Sequence, residues 1–241
     1  MKRNLFLSLI ALVSIFSVKA LAGEMSRYEV NVGDFTTLRI VNDIDVDYVC
    51  NPDSAGKVVF YTTPEKASVF MFDNNNKGKL SVQLTTDEAL APKNLPVLRI
   101  YSQFLQEAKN DGDSTLRIVK LATAPKVKFS LSGNGRIEAY DINGTTVEAA
   151  IFTGKGTIEV SGKCSEANLR CTGAGTVIAD RLVATKKVGC MLVGTGAIKC
   201  NVVNGPISIK GTGTGKVYYR GTPTEIKSMQ LGKIKAIPIK D

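Results

Sequence analysis

Histidine and tryptophan are both absent from the 241-residue sequence, and aromatic residues make up only 7% of it. Without histidine, the chain cannot build a Ser-His-Asp or Cys-His catalytic arrangement from its own side chains. The five cysteines include no Cys-x-x-Cys pair, and with no histidine available this spacing argues against a zinc site. From these absences we assign no catalytic, cofactor-binding or metal-binding residue, and we expect no cofactor.

Long apolar runs are also lacking, except for one at the N-terminus. Two basic residues precede an apolar run over residues 5–18, and an Ala-x-Ala site ends at Ala22. This order is typical of a cleaved secretory signal. The run is shorter than the roughly 20 residues that a membrane-spanning helix needs. We therefore predict a signal peptide over residues 1–22, export to the periplasm, outer surface or medium, and no membrane span in the mature chain, 23–241.

The net charge is moderately positive. It is +9 for the whole chain and falls to +6 when Lys2, Arg3 and Lys19 leave with the signal. The lysines are spread along the chain and form no basic block interleaved with aromatic residues, as a nucleic-acid interface would. We therefore predict no nucleic-acid partner. Weak attraction to anionic surfaces or acidic polysaccharide is the alternative to a simply solvated surface.

What the sequence does contain is a repeat. A Gly-x-Gly motif recurs in five copies whose first glycines are spaced 21, 19, 21 and 19 positions apart, at Gly133, Gly154, Gly173, Gly194 and Gly213. Two residues after each second glycine stand Ile137, Ile158, Val177, Ile198 and Val217. Mostly apolar residues recur at three further offsets: Ala139, Val160, Ala179, Cys200 and Tyr219; Phe129, Ala150, Leu169, Cys190 and Ile209; and Leu131, Phe152, Cys171, Leu192 and Gly211. Because polar or small residues lie between them, the pattern predicts half-buried β-strands with these residues facing inward.

Each copy is therefore predicted to form a strand, a glycine corner, a second strand and a polar turn such as Asn143-Gly144 or Asn204-Gly205-Pro206. A phosphate-binding loop would need a helix after the glycines, and a β pattern follows instead. A repeat of about 20 residues cannot bury its apolar face alone, but stacked copies form continuous inner columns. We therefore predict an all-β parallel β-helix, or solenoid, with regular repeats over residues 126–241. A β-propeller with two copies per blade is the alternative.

Residues 23–125 are rich in β patterns but lack the motif. We interpret them as a more irregular, sheet-like start of the same domain, and a separate small β domain is the alternative. The candidate strands are 35–41, 44–49, 58–62, 69–72, 80–85 and 97–101. Degenerate turns of the solenoid are predicted over residues 108–116 and 230–236, because terminal repeats are expected to be atypical.

Acidic residues suggest two further alternatives. Asp43, Asp45 and Asp47 alternate along one strand, where three carboxylates can hold calcium, but we interpret them as a solvated outer face. Glycoside hydrolysis needs two carboxylates across a cleft. The acidic residues of the repeats are instead predicted at scattered outward or turn positions, at Glu138, Asp141, Glu159 and Asp180. We therefore predict that the protein is not an enzyme.

The cysteines divide into two groups. Cys171, Cys190 and Cys200 fall at inward positions, where a thiol behaves as a small hydrophobic group. Cys164 falls in a predicted turn and is the better candidate for a disulfide, which export would permit. The sequence leaves the disulfide state of Cys50 and Cys164 open.

With these residues in view, the chain resembles the putative auto-transporter adhesin head GIN domain family of exported proteins. The resemblance rests on the units LSGNGRIEA, FTGKGTIEV, CTGAGTVIA, LVGTGAIKC and GTGTGKVYYRG, and on the position of GKVYYRGTP at 215–223. It extends over residues 35–236 and implies a right-handed parallel β-helix and export. It implies no enzymatic activity and no assigned functional residues. Many family members carry Asp after the second glycine, and this chain does not.

Three functions fit these observations. The first is an exported, non-enzymatic solenoid whose surface binds a polysaccharide or an envelope or surface protein, as an adhesin does. The second is a carbohydrate-active enzyme on the same fold, which predicts two carboxylates about 5–9.5 Å apart in a cleft. The third is a periplasmic sensory module, which predicts a linked membrane segment. We favour the first.

Overall fold

The computed structural model describes residues 24–74, 78–85, 87 and 90–239 and is almost entirely β-structure. Among the described residues, a 3-10 turn at Pro52–Ser54 and a short helix, α1, at Pro64–Ala67 lie between the strands. The strands of the described residues are β1 Ser26–Asn31, β2 Thr37–Ile40, β3 Val46–Cys50, β4 Lys57–Thr62, β5 Phe70–Asn74, β6 Lys79–Leu84, β7 Leu98–Ser102, β8 Glu107–Asn110, β9 Thr115–Lys120, β10 Ala124–Ser132, β11 Arg136–Thr153, β12 Thr157–Gly173, β13 Thr176–Gly194, β14 Ala197–Val203, β15 Pro206–Gly213, β16 Lys216–Thr222, β17 Glu225–Gly232 and β18 Lys235–Pro238.

Parallel pairing of equivalent strands in successive turns makes the molecule a β-solenoid. From β8 onward, each turn hydrogen-bonds to the equivalent strands of the next turn. The predicted inner column is present, since direct register partners connect Leu116, Ile137, Ile158, Val177, Ile198 and Val217. All six side chains are fully buried. The prediction of an all-β solenoid is therefore confirmed, while its right-handedness stays a prediction.

The glycine corners bring successive turns very close together. Gly154 has a φ of +95°, and a Cβ there would lie 2.0 Å from the carbonyl oxygen of Gly133 in the preceding turn. At Gly156, a Cβ would lie 2.6 Å from the carbonyl oxygen of Gly135. Real Cβ atoms do not approach a carbonyl oxygen this closely, and residues other than glycine rarely adopt such a φ. A strand, β12, follows this corner.

In the N-terminal part, the turns do not stack in chain order. Strand β2 lies between β6 and β8, and β3 lies between β7 and β9. The turn formed by β2 and β3 is therefore inserted between two turns that come later in the chain. Antiparallel pairs β1–β4, β4–β7 and β5–β6 cover this end. The six predicted strands are present, and one hydrophobic cluster continues from Val30 to Ile234.

One predicted register is wrong by a residue. Ala150 and Phe152 were expected to face inward, but Ala149 and Ile151 occupy the core positions, in register with Phe129 and Leu131. The pairing shifts between Leu131 and Ser132, so Phe152 is the extra residue of a β-bulge. Its ring is consequently 41% exposed.

Two predicted turns differ in outcome. Asn143-Gly144 lies inside β11, which bends at Asp141 (φ +56°) without leaving the ladder. Asn204-Gly205 does form a turn, between β14 and β15. The degenerate end turns are present, with Ala108 beside Phe129 and Gly232 beside Gly213.

The predicted signal peptide, 1–22, lies outside the described residues, and no helix of the described part is long and apolar enough to cross a membrane.

Candidate functional site

A long shallow groove follows the outer face of one side of the solenoid. Its main part has a volume of about 400 Å³ and crosses the turns formed by β10 to β15. A second part of about 360 Å³ continues toward the N-terminal end, and Lys128 lines both. We call the two parts together the outer groove. Six residues of the main part define its character: Phe152, Arg170, Gly189, Met191, Ser208 and Lys210.

Strand register explains why the groove is straight. One column of outward-facing residues runs through both parts: Thr37, Glu107, Lys128, Glu148, Asn168, Gly189 and Ser208. Since neighbouring strands are about 4.8 Å apart, these seven positions span roughly 30 Å along the solenoid. The groove is therefore shaped for an extended ligand rather than a compact one.

The wall of the main part combines apolar and cationic side chains. The Arg170 guanidinium lies 5.2 Å from the centroid of the Phe152 ring, a cation–π contact. Arg170, Met191 and Lys210 are register partners in three successive turns. Phe152 and Met191 are 41% and 43% exposed. The β-bulge at Phe152, which the sequence pattern missed, is what places this ring in the groove.

Charges in the groove are only partly balanced. Glu107 pairs with Lys128 at 3.0 Å, and Glu148 pairs with Lys126 at 2.9 Å. Within the described part of the chain, by contrast, no carboxylate lies within ion-pair distance of Arg170 or Lys210. The groove therefore presents two cations that are available to a ligand.

The outer face of β11 and β12 has a different character, because its charges neutralise one another. Glu138 and Glu159 are register partners, so the prediction that the acidic residues are all scattered is wrong for this pair. Arg136 contacts both carboxylates, and Arg181 also contacts Glu159. Burial tends to lower the pKa of Arg136, but the two nearby glutamates have the larger combined effect and raise it. The pair is visible only in three dimensions, since the two residues lie one turn apart.

The other acidic residues have structural roles or stand apart. Asp45 accepts a hydrogen bond from the Thr115 backbone N–H at 2.8 Å, and Asp47 pairs with Arg117 at 2.7 Å. Asp43 accepts from the backbone N–H of Asp113 in the next turn. No group of residues that could hold a metal ion occurs in the described ranges. Asp141 is exposed and Asp180 half-buried, and neither lies in the outer groove.

All five cysteines are buried free thiols. The prediction that Cys164 lies in a turn is wrong, because it sits within β12, only 4% exposed. Burial and, secondarily, Glu166 raise the pKa of Cys164 to about 11. Cys171 donates a hydrogen bond to the Gly175 carbonyl at 3.2 Å, and burial raises its pKa. The Cys190 thiol contacts Cys200, and this contact together with burial raises the pKa of Cys190.

This arrangement predicts that the native thiols are inert. A pKa of about 11 leaves roughly one Cys164 thiol in a thousand ionised at pH 8, and the thiolate is the reactive form. We expect a colorimetric thiol reagent at pH 8 to label less than about one cysteine per folded molecule within minutes, and all five after unfolding in guanidinium. Rapid labelling of the folded protein, or fewer than five thiols after unfolding without reductant, would contradict the structure.

Comparison with solved structures identifies the same fold in several bacterial proteins. A putative adhesin from Bacteroides fragilis superposes with a TM-score of 0.78 at 18% identity, covering 90% of this chain and 97% of that one. A putative adhesin from Parabacteroides merdae gives 0.70 at 17% identity, covering 90% and 97%. A putative lipid binding protein from Parabacteroides distasonis gives 0.67 at 17% identity, covering 89% and 97%. At these identities the likeness establishes the fold alone.

Sequence comparison establishes the family. No curated protein sequence is significantly similar to this chain. A family model, in contrast, matches residues 34–223, which is most of the chain and includes all five Gly-x-Gly units. The chain therefore belongs to the family described as putative auto-transporter adhesin, head GIN domain.

Proposed function

We propose that the protein is an exported, non-enzymatic, adhesin-like domain that binds an extended partner along the outer groove. The partner is a polysaccharide or an envelope or surface protein. The observation that carries the proposal is the straight groove of roughly 30 Å, built from equivalent positions of successive turns. An extended partner suits this surface, because the strands are evenly spaced at about 4.8 Å and each turn can contact the next segment of the partner.

The surroundings of Glu138 and Glu159 argue against the alternative function of a carbohydrate-active enzyme. A glycosidase needs one carboxyl group that carries a proton and a cleft in which the sugar lies between the two groups. Here Arg136 contacts both carboxylates on an outer sheet face. Neither glutamate lines the outer groove. The Arg136–Glu159 ion pair connects two successive turns, which supports a structural role for these residues and a non-enzymatic protein.

The test combines localisation, binding and turnover on one preparation. The full chain is expressed in a Gram-negative host, and the processed protein is applied to an array of neutral and acidic polysaccharides. We expect a shortened chain outside the cytoplasm, binding to a subset of polysaccharides, and no new reducing ends or unsaturated products. Uncleaved protein in the cytoplasm would contradict export. Product release that Glu138→Gln or Glu159→Gln abolishes would instead establish the enzyme.

A further inference from the structure

We infer that the outer groove is a site for an acidic, carboxylate-bearing polysaccharide, with Arg170 and Lys210 as its carboxylate-binding residues. This inference rests on the proposed function and adds the ligand class and the residues that select it. The ion pairing of the arginines supports this assignment. Elsewhere on the outer faces, arginines such as Arg39, Arg117 and Arg136 are paired with carboxylates. Among the described residues, Arg170 instead donates only to the Thr172 hydroxyl, at 3.3 Å, and packs on Phe152.

The spacing of the two cations fits a polymer. Arg170 and Lys210 are separated by two turns, through Met191, and therefore stand roughly 10 Å apart along the groove. This distance is similar to the length of a disaccharide, so alternate acidic sugars can meet one cation each. Phe152 and Met191 offer apolar surface for the C–H faces of the rings between them. A guanidinium is suited to two-pronged contact with a carboxylate, and an ammonium to a single charged contact.

Gly189 keeps the floor of the groove open. Its φ lies outside the left-handed region, and the nearest atom to an added Cβ would be the side-chain Oδ1 of Asn168, at 3.2 Å. The backbone therefore does not require glycine at this position, in contrast to the corner glycines. A side chain here would stand between Asn168 and Ser208, on the line that the ligand must follow. Glycine at this strand position weakens the strand slightly, but it leaves room for the ligand.

The experiment measures binding of hexagalacturonate by calorimetry in low salt. The matched ligand is the fully methyl-esterified hexamer, which has the same backbone without charge. We expect the acid to bind and the ester to bind at least about tenfold more weakly. Arg170→Gln with Lys210→Gln should weaken binding of the acid at least about tenfold. As the control, Lys163→Gln with Lys186→Gln removes the same charge from exposed positions outside the groove and should change affinity less than about twofold.

A second variant tests the location by shape alone. Gly189→Val leaves the net charge unchanged and should abolish measurable binding while the melting temperature stays within a few degrees of the wild-type value. Equal weakening by the two double variants would overturn the inference, because binding would then depend on the net charge of the protein and not on Arg170 and Lys210. Equal affinity for acid and ester, or no binding of either, would also overturn it. If the array then shows binding to a neutral polysaccharide, the inference about the ligand is wrong but the proposed function still holds. If the array shows no partner and no surface protein is bound, both are wrong.

Discussion

Replacing Gly154 by alanine is expected to destabilise the folded protein by about 3 kcal/mol. The added Cβ would lie 2.0 Å from the Gly133 carbonyl oxygen and 2.6 Å from its carbonyl carbon, both backbone atoms of the preceding turn. Neither turn can move away without lengthening the ladder hydrogen bonds on both sides of the corner. The φ of +95° adds strain, because it lies outside the regions that an alanine adopts readily. For a chain of this size the melting temperature should fall by about 6–12 °C.

Gly189→Ala is the matched control for this substitution. The same methyl group is added in the same solenoid, but among the described residues it meets only the Asn168 side chain, at 3.2 Å, and the backbone conformation is ordinary. The free energy of unfolding should change by less than about 0.5 kcal/mol. Thermal melts followed by circular dichroism are sufficient to compare the two variants. Equal melting temperatures would show that the corner glycines are not needed for the close stacking of turns.

Much of the fold could be predicted from the sequence because a solenoid repeats local information. The spacing of the glycines and the alternation around Ile137, Ile158 and Val177 determine which residues face inward in each turn. The same periodicity places equivalent residues beside each other, so local pattern and long-range pairing coincide. For this reason the inner column and the corners could be predicted without knowledge of any relative.

The N-terminal order of turns could not be predicted in this way. Strand patterns in residues 35–101 show where strands occur, but they contain no periodic signal that selects the neighbour of each strand. Placement of β2 between β6 and β8 depends on contacts between residues about 40 and 70 positions apart in the chain. Burial of large side chains such as Phe35 and Tyr48 between these turns is a property of the assembled end and not of any single strand.

The outer groove was missed for a related reason. The repeat spacing before Gly154 predicts that Phe152 faces inward. The β-bulge inserts one residue there, which reverses the faces of the strand and cannot be recognised from composition. The outward column containing Asn168, Gly189 and Ser208 has no motif. Its one sequence signal is Gly189 itself, a glycine inside a strand with no turn beside it. The unpaired state of Arg170 and Lys210 is a fact about neighbours one and two turns away, which the sequence does not display.

Removal of one complete turn is expected to leave a folded protein. Deleting residues 154–172 removes the 19 residues from one first glycine to the next and joins Thr153 to Gly173. Register then places Val177 beside Ile137 and Leu192 beside Ile151, so inward positions again meet inward positions. The protein loses one turn and one interface between turns, and stability in a solenoid is roughly the sum of such terms. Deleting only residues 154–163 removes a corner and half of the following turn, so strands that are not equivalent would be opposed.

The comparison of these two deletions by circular dichroism and thermal melting tests most directly whether the protein is a stack of equivalent turns. We expect the 154–172 deletion to keep a β-sheet spectrum and a cooperative unfolding transition at a moderately lower temperature. The shorter 154–163 deletion should unfold the protein or abolish its cooperative transition, although it removes fewer residues. Loss of structure in the full-turn deletion, with a folded half-turn deletion, would contradict the solenoid and the glycine corners on which the outer groove depends.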